Sequence, residues 1–140
     1  MFRFFQRMIA FRKSRRMLGR SRFWREDLQW YDAKSEPGLT RESRSLAYRL
    51  RGAQFGESDL YVMVNAHDQP LTFNIQEGSA KDWQRVVDTS LPSPQDIAEA
   101  GSEHTLKSLD YEVGPRSVVV LARRSEASSG KRASKQPVPN

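Results

Sequence analysis

Apolar residues recur along this chain at two different periods. From the start they stand at Phe2, Phe5, Met8 or Ile9 and Phe11, with Ala10 and Met17 extending the stripe. That spacing puts them on one side of a helix and predicts an amphipathic helix over Met1–Leu18. Gly19 suits its C-terminal stop, and Lys13, Arg15 and Arg16 suit the negative end of the helix dipole. No Ser, Thr, Asp or Asn caps the start, so the helix reads as one whose preceding context is missing.

Further along, the period falls to two. Within Ser45–Leu50, Leu46, Tyr48 and Leu50 share one face and Ala47 and Arg49 the other, with Arg51 following on that second face. Leu60–Ala66 is apolar on both faces, as a central strand is. His67-Asp-Gln-Pro70 reads as a hairpin connection into Leu71–Ile75. Trp83–Asp88 and Ser117–Ala122 are further strands, Thr105–Leu106 and Tyr111–Val113 short ones, and Phe23, Leu28 and Trp30 suggest strand pieces. The excursion Thr89–Ser102 carries Pro92 and Pro94, with a short helical turn expected from Ser93 or Pro94 to Ala98.

Strands with short connections and no intervening helices favour antiparallel pairing. The expected fold is mainly β, an antiparallel β-sandwich of about six to eight strands preceded by one N-terminal amphipathic helix. The expected organisation is a helix over residues 1–20, a sandwich over 21–124 and a disordered tail over 125–140, where Ser, Lys, Pro, Gly and Ala dominate. A chain of 140 residues is long enough to build one real core.

Charge divides the same way. Residues 1–25 carry nine Arg or Lys and no acid, whereas residues 26–124 carry eleven bases and sixteen acids. The net charge of +6 therefore belongs to the ends, and the folded middle is mildly acidic. A nucleic-acid reader is expected to carry positive charge on its folded face, so nucleic acid is disfavoured as a partner. Phe2 to Phe11 is broken by Arg3, Gln6 and Arg7, which argues against a secretion signal. No apolar run is long enough to span a membrane. The absence of cysteine excludes disulfides and thiolate metal sites and fits a reducing cytoplasm.

Candidate chemistry is sparse. Asp59, Asp68, Glu77, Asp82 and Asp88 lie in or beside turns, where such side chains bond to nearby backbone. Asp88 is the one expected to be partly buried, capping the loop that follows. His67 and His104 stand too far apart for a metal motif, and no Ser/His/Asp set or glycine-rich phosphate loop is readable. No catalytic, cofactor-binding or metal residue is expected. Trp24, Trp30, Tyr31 and Trp83 are candidates for stacking on sugar rings, with Tyr61 beside them, although core packing is the default for aromatics. The basic helix has three readings: lying on an anionic membrane, touching nucleic-acid phosphates, or packing its Phe face against protein with its arginines solvated or paired to acids. The third is favoured. An open Phe2, Phe5 and Phe11 face would also promote self-association.

Taken together, Met1–Leu18, Phe23–Trp30, Leu46–Leu50, Leu60–Ala66, Trp83–Pro94 and Val113–Leu121 resemble the C-terminal end of an isoamylase-type glycogen debranching enzyme, of the α-amylase clan of glycoside hydrolases. The matching patterns are F-x-R-x-(M/L)-I-x-(F/L)-R-K, L-A-(F/Y)-x-L, L-Y-V-M-(V/I)-N-A, W-x-x-(V/L)-(V/I)-D-T-S-L-P-S-P and V-x-x-R-S-V-V-V-L. The sequence departs at Ser14, Arg15 and Arg16, where the family has His and Pro, and over Ala33–Arg44, which lacks the family's Trp. The resemblance implies a helix that closes a catalytic (β/α)8 barrel, followed by a β-sandwich. It also implies that the two carboxylates that cleave α-1,6 branch points belong to that barrel, upstream of this stretch. Three functions follow as expectations: a non-catalytic lobe partnered by a separately encoded barrel, a free-standing α-glucan-binding module, or an adaptor working through the basic helix.

Overall fold

The computed structural model describes residues 1–19, 27–33 and 43–124. Phe23, Trp24, the Lys34–Thr40 turn and the 125–140 tail lie outside the described residues. Helix α1 spans Phe2–Ser14. The strands are β1 (Leu28–Tyr31), β2 (Ser45–Leu50), β3 (Leu60–Asn65), β4 (Leu71–Asn74), β5 (Trp83–Asp88), β6 (His104–Thr105), β7 (Asp110–Val113) and β8 (Ser117–Arg123).

Six strands form one sheet in the order β1-β2-β3-β8-β5-β6, and β4 pairs with β7 in a second. Every pairing is antiparallel. The expected β-sandwich with an N-terminal helix is the fold observed. β3, apolar on both faces, sits inside the large sheet between β2 and β8. Its side chains alternate between two layers. Tyr61 and Met63 join Trp83, Val119 and Leu121 under Phe73 and Val113 of the small sheet. Leu60 faces the other way, with Leu50, Val86, Val87 and Ala122, where Phe4, Met8 and Phe11 of α1 pack. The large sheet is thus the middle layer of three.

β5 departs from strict alternation. Its register against β8 shifts between Arg85 and Val87. Both Val86 and Val87 thereby reach the helix-side cluster. The bulge returns Asp88 to the inner side, beside Tyr111 of β7. Strict alternation from Trp83 would have sent Asp88 outward.

The helix is shorter than its periodicity predicts. Arg15 turns extended (φ −116°, ψ 106°), and residues Arg16–Gly19 form a 3-10 turn. The cause is Glu57, whose carboxylate accepts the Arg16 N–H at 2.6 Å and the Met17 N–H at 3.3 Å. This draws Met17 into the core. The Glu57 segment is itself held close: a Cβ at Gly52 would lie 2.4 Å from the Glu57 carbonyl oxygen. The helical turn expected near Ser93–Ala98 is absent. Residues 93–96 form turns, with a cis peptide at Ser93-Pro94, and Ile97 instead bridges Val87. The short strand expected at Thr105–Leu106 lies one residue earlier, at His104–Thr105.

Candidate functional site

The structure separates the aromatic candidates. Trp83 has no exposure; Tyr61 packs edge-on against it at 5.6 Å, and the Arg123 guanidinium lies over its ring at 5.8 Å. Its indole N–H donates to the Glu77 carbonyl at 2.8 Å. Trp83 is a core residue, with no ring face for a sugar. Tyr31 stacks on Tyr61 at 5.7 Å and donates its hydroxyl to the Glu77 carboxylate. Trp30, its neighbour in β1, projects to the opposite face. There it is 51% exposed and edge-on to Tyr48 at 5.5 Å. Trp24 lies outside the described residues. Among the described residues, Trp30, Tyr31 and Trp83 therefore form no common platform.

The carboxylates are engaged by their own surroundings. Glu77 pairs with buried Arg49, whose pKa falls chiefly through burial and then through Arg51, with Asp59 opposing. Asp59 accepts the Gly52 N–H at 3.0 Å. Asp82 accepts the Ser79 N–H at 2.8 Å in a capping box, and that bond leads the causes holding its pKa down. Asp88 accepts from the Ser90 N–H at 3.0 Å and the Ser90 hydroxyl at 2.6 Å, so it caps the loop as expected. Its second oxygen takes the Tyr111 hydroxyl. Burial first, then that bond to Asp88, pushes the Tyr111 phenol up to about 12; burial does the same to Tyr61, also to about 12. His67 sits on the β3–β4 connection and His104 on β6, and no cluster of three His, Asp or Glu is placed for a metal among the described residues.

One polar residue carries weight that sequence reasoning missed. Asn65, 1% exposed, donates to the carbonyls of Gln69, Val113 and Gly114 and accepts the His67 N–H. It ties the β3–β4 turn to the β7–β8 turn. A polar residue ending an otherwise apolar strand was the available signal.

On the outer layer, α1 divides its cations. Arg3 pairs with Asp96 and donates to the Ser93 hydroxyl at 3.0 Å. Arg7 pairs with Glu99, and Arg15 donates to the Ser58 carbonyl at 3.0 Å. Burial lowers the Arg15 pKa, with Glu57 and Glu103 opposing. The helix thus docks its Phe4, Met8 and Phe11 side on the sheet through apolar contact and ion pairs. Phe11 belongs to this docked side, with Arg15 over its ring at 5.3 Å, and not to the exposed face anticipated for it. Beside the helix, a groove of about 500 Å³ runs over the sheet, floored by residues such as Val62, Val118 and Val120.

The sequence profile described as "Isoamylase, C-terminal" matches residues 28–122. The chain belongs to the isoamylase C-terminal domain family. The matched span runs from the first residue of β1 to the last but one of β8, so it takes in all eight strands. A relative named "Isoamylase 3, chloroplastic" from Oryza sativa subsp. japonica is 38% identical over 122 residues, 86% of this chain and 15% of that protein. A relative named "Isoamylase" from Flavobacterium sp is 29% identical over 137 residues, 83% of this chain and 18% of that protein. This isoamylase C-terminal domain chain thus spans less than a fifth of the length of either relative. No helix among the described residues is long and apolar enough to cross a membrane.

Proposed function

We propose that this chain serves as the accessory β-lobe of an isoamylase-type debranching system. It contributes structure rather than chemistry, covering part of a catalytic (β/α)8 barrel supplied by another polypeptide segment. The observation that carries this is the family match over all eight strands. The engagement of buried Asp88 with Ser90 and Tyr111 supports it, as does that of Glu77 with Arg49 and Tyr31, since both carboxylates are committed to holding the fold. Hydrolysis of α-1,6 branch points in glycogen or starch would belong to the barrel. The cytoplasm is the compartment this reading assigns, on the cysteine-free composition.

The test is a reducing-end assay on glycogen and amylopectin with the purified chain. No turnover is expected, and turnover of branched glucan by the pure chain would overturn the reading. A second reading, glucan contact by the sandwich itself, draws on half-exposed Trp30 beside Tyr48. Affinity electrophoresis in glycogen gels decides it: retardation abolished by Trp30→Ala supports glucan contact, and unchanged mobility of the parent chain removes it.

A further inference from the structure

Helix α1 stops where its own sequence would continue it. Arg15, Arg16, Met17 and Leu18 are good helix formers, and no Gly or Pro stands among them. Ser14–Arg16 also lacks the Pro of the family pattern. Cations there would suit the negative end of a longer helix. Yet Arg15 is extended, and Arg16–Gly19 form a 3-10 turn. Two N–H groups decide between these outcomes. In a continuous α-helix the Arg16 N–H would bond the Arg12 carbonyl, and the Met17 N–H the Lys13 carbonyl. Here the Glu57 carboxylate takes both, at 2.6 and 3.3 Å. The two sets of bonds exclude each other. Met17 changes sides with them. Six positions after Phe11, it would lie about 120° around a continuous helix from that docked residue. In the broken form it is buried, 2% exposed.

Glu57 is in turn placed from the sheet. Its N–H donates to the Gly52 carbonyl at 3.0 Å, and the Gly52 N–H donates to the Asp59 carboxylate at 3.0 Å. The Asp59 carbonyl accepts the Arg123 N–H of β8 at 2.8 Å. Arg15 joins the same loop through the Ser58 carbonyl at 3.0 Å. Local sequence thus favours one form of the junction, and the sandwich imposes the other. We propose that Ser14–Leu18 is a two-state hinge: Glu57 holds the bent form, and release of Glu57 lets α1 run on through Leu18. The rest of α1 stays docked through the pairs of Arg3 with Asp96 and Arg7 with Glu99. In the accessory-lobe reading, on which this consequence rests, α1 is shared by sandwich and barrel, so the hinge sets the angle between them. The hinge itself does not depend on that reading.

The test is NMR on the isotopically labelled full-length chain. In the parent, Arg15 should show the negative α-carbon secondary shift of extended backbone, and the Met17 methyl group should be shielded from a soluble nitroxide. In Glu57→Ala, Arg15–Leu18 should take positive, helical shifts, and the Met17 methyl signal should be lost to the nitroxide. Adding Arg16→Pro to Glu57→Ala should restore both parental readings. Proline disfavours helix at the residue before it and fits the first position of the turn that follows. Glu57→Gln keeps an acceptor oxygen and should move the Arg15 shift part of the way, which serves if Glu57→Ala unfolds the chain. Unchanged β3 shifts mark an intact sandwich. Parental shifts in Glu57→Ala overturn the proposal, as do near-zero shifts at Arg15–Leu18 over an intact sandwich. Failure of Arg16→Pro to restore the bend overturns it too. Turnover in the glucan assay would remove the accessory-lobe reading and leave these shifts untouched.

Discussion

The two faces of the six-stranded sheet are built on opposite principles. The inner face, under β4 and β7, is aromatic and closed: Trp83, Tyr61, Met63 and Phe73 have no exposure. Among its polar groups, Arg49 pairs with Glu77, Asn65 bonds to backbone carbonyls, and Asp88 holds the Ser90 and Tyr111 hydroxyls. The outer face is aliphatic and only partly covered. No residue of α1 is fully buried, and the helix adds ion pairs to its apolar contact. One face spends its residues on holding the fold, and the other keeps apolar area and cations available for contact. Stability should therefore reside on the inner side and interaction on the outer.

The sharpest break of this contrast is on the inner face. Trp83→Ala should cost about 3–5 kcal/mol in urea unfolding, through lost burial and the cavity it leaves. A cost near zero would dissolve the distinction. Removing one partner of the buried pair, as in Glu77→Ala, should cost about 3 kcal/mol, because Arg49 would remain buried and uncompensated. The double change Arg49→Met with Glu77→Leu should recover most of that loss.

Alkali probes the same face. Tyr61 and Tyr111 hold their protons more tightly in the folded chain, both at about 12 against an ordinary 10.0. Their contribution is thus complete below pH 10 and lost as pH rises from there towards 12. Stability should fall across that window, and Tyr111→Phe should flatten part of the fall. On the outer face, raising salt should speed hydrogen exchange of the α1 amides before that of β3, since exposed ion pairs contribute about 1 kcal/mol or less and are screened. Phe5→Glu should change the unfolding free energy least, by within about 0.5 kcal/mol, because the side chain is largely in solvent.

Legibility followed the same division of forces. Ser45–Leu50 and Leu60–Asn65 were readable because alternation and double-sided apolarity are local signals. The end of α1 was not, because Glu57, far along the chain, decides where the helix yields to a 3-10 turn. Trp83 was ambiguous for a related reason: an aromatic in a strand looks the same whether its face meets a core or a sugar. Arg49 reads by alternation as the polar side of β2, yet that side is the closed core, and Arg49 is buried there with Glu77.

The order of the strands' hydrophobic faces, the split of charge between helix and body, and the family motifs were determined by sequence alone, because each depends on residues adjacent or a few positions apart. Tertiary structure decided which face became closed core, where β5 bulges to turn Asp88 toward Tyr111, and which half of the apolar stripe on α1 remained open. Those outcomes depend on which distant strand, turn or carboxylate arrives opposite a residue, and pairing across the chain is a property of the packed molecule.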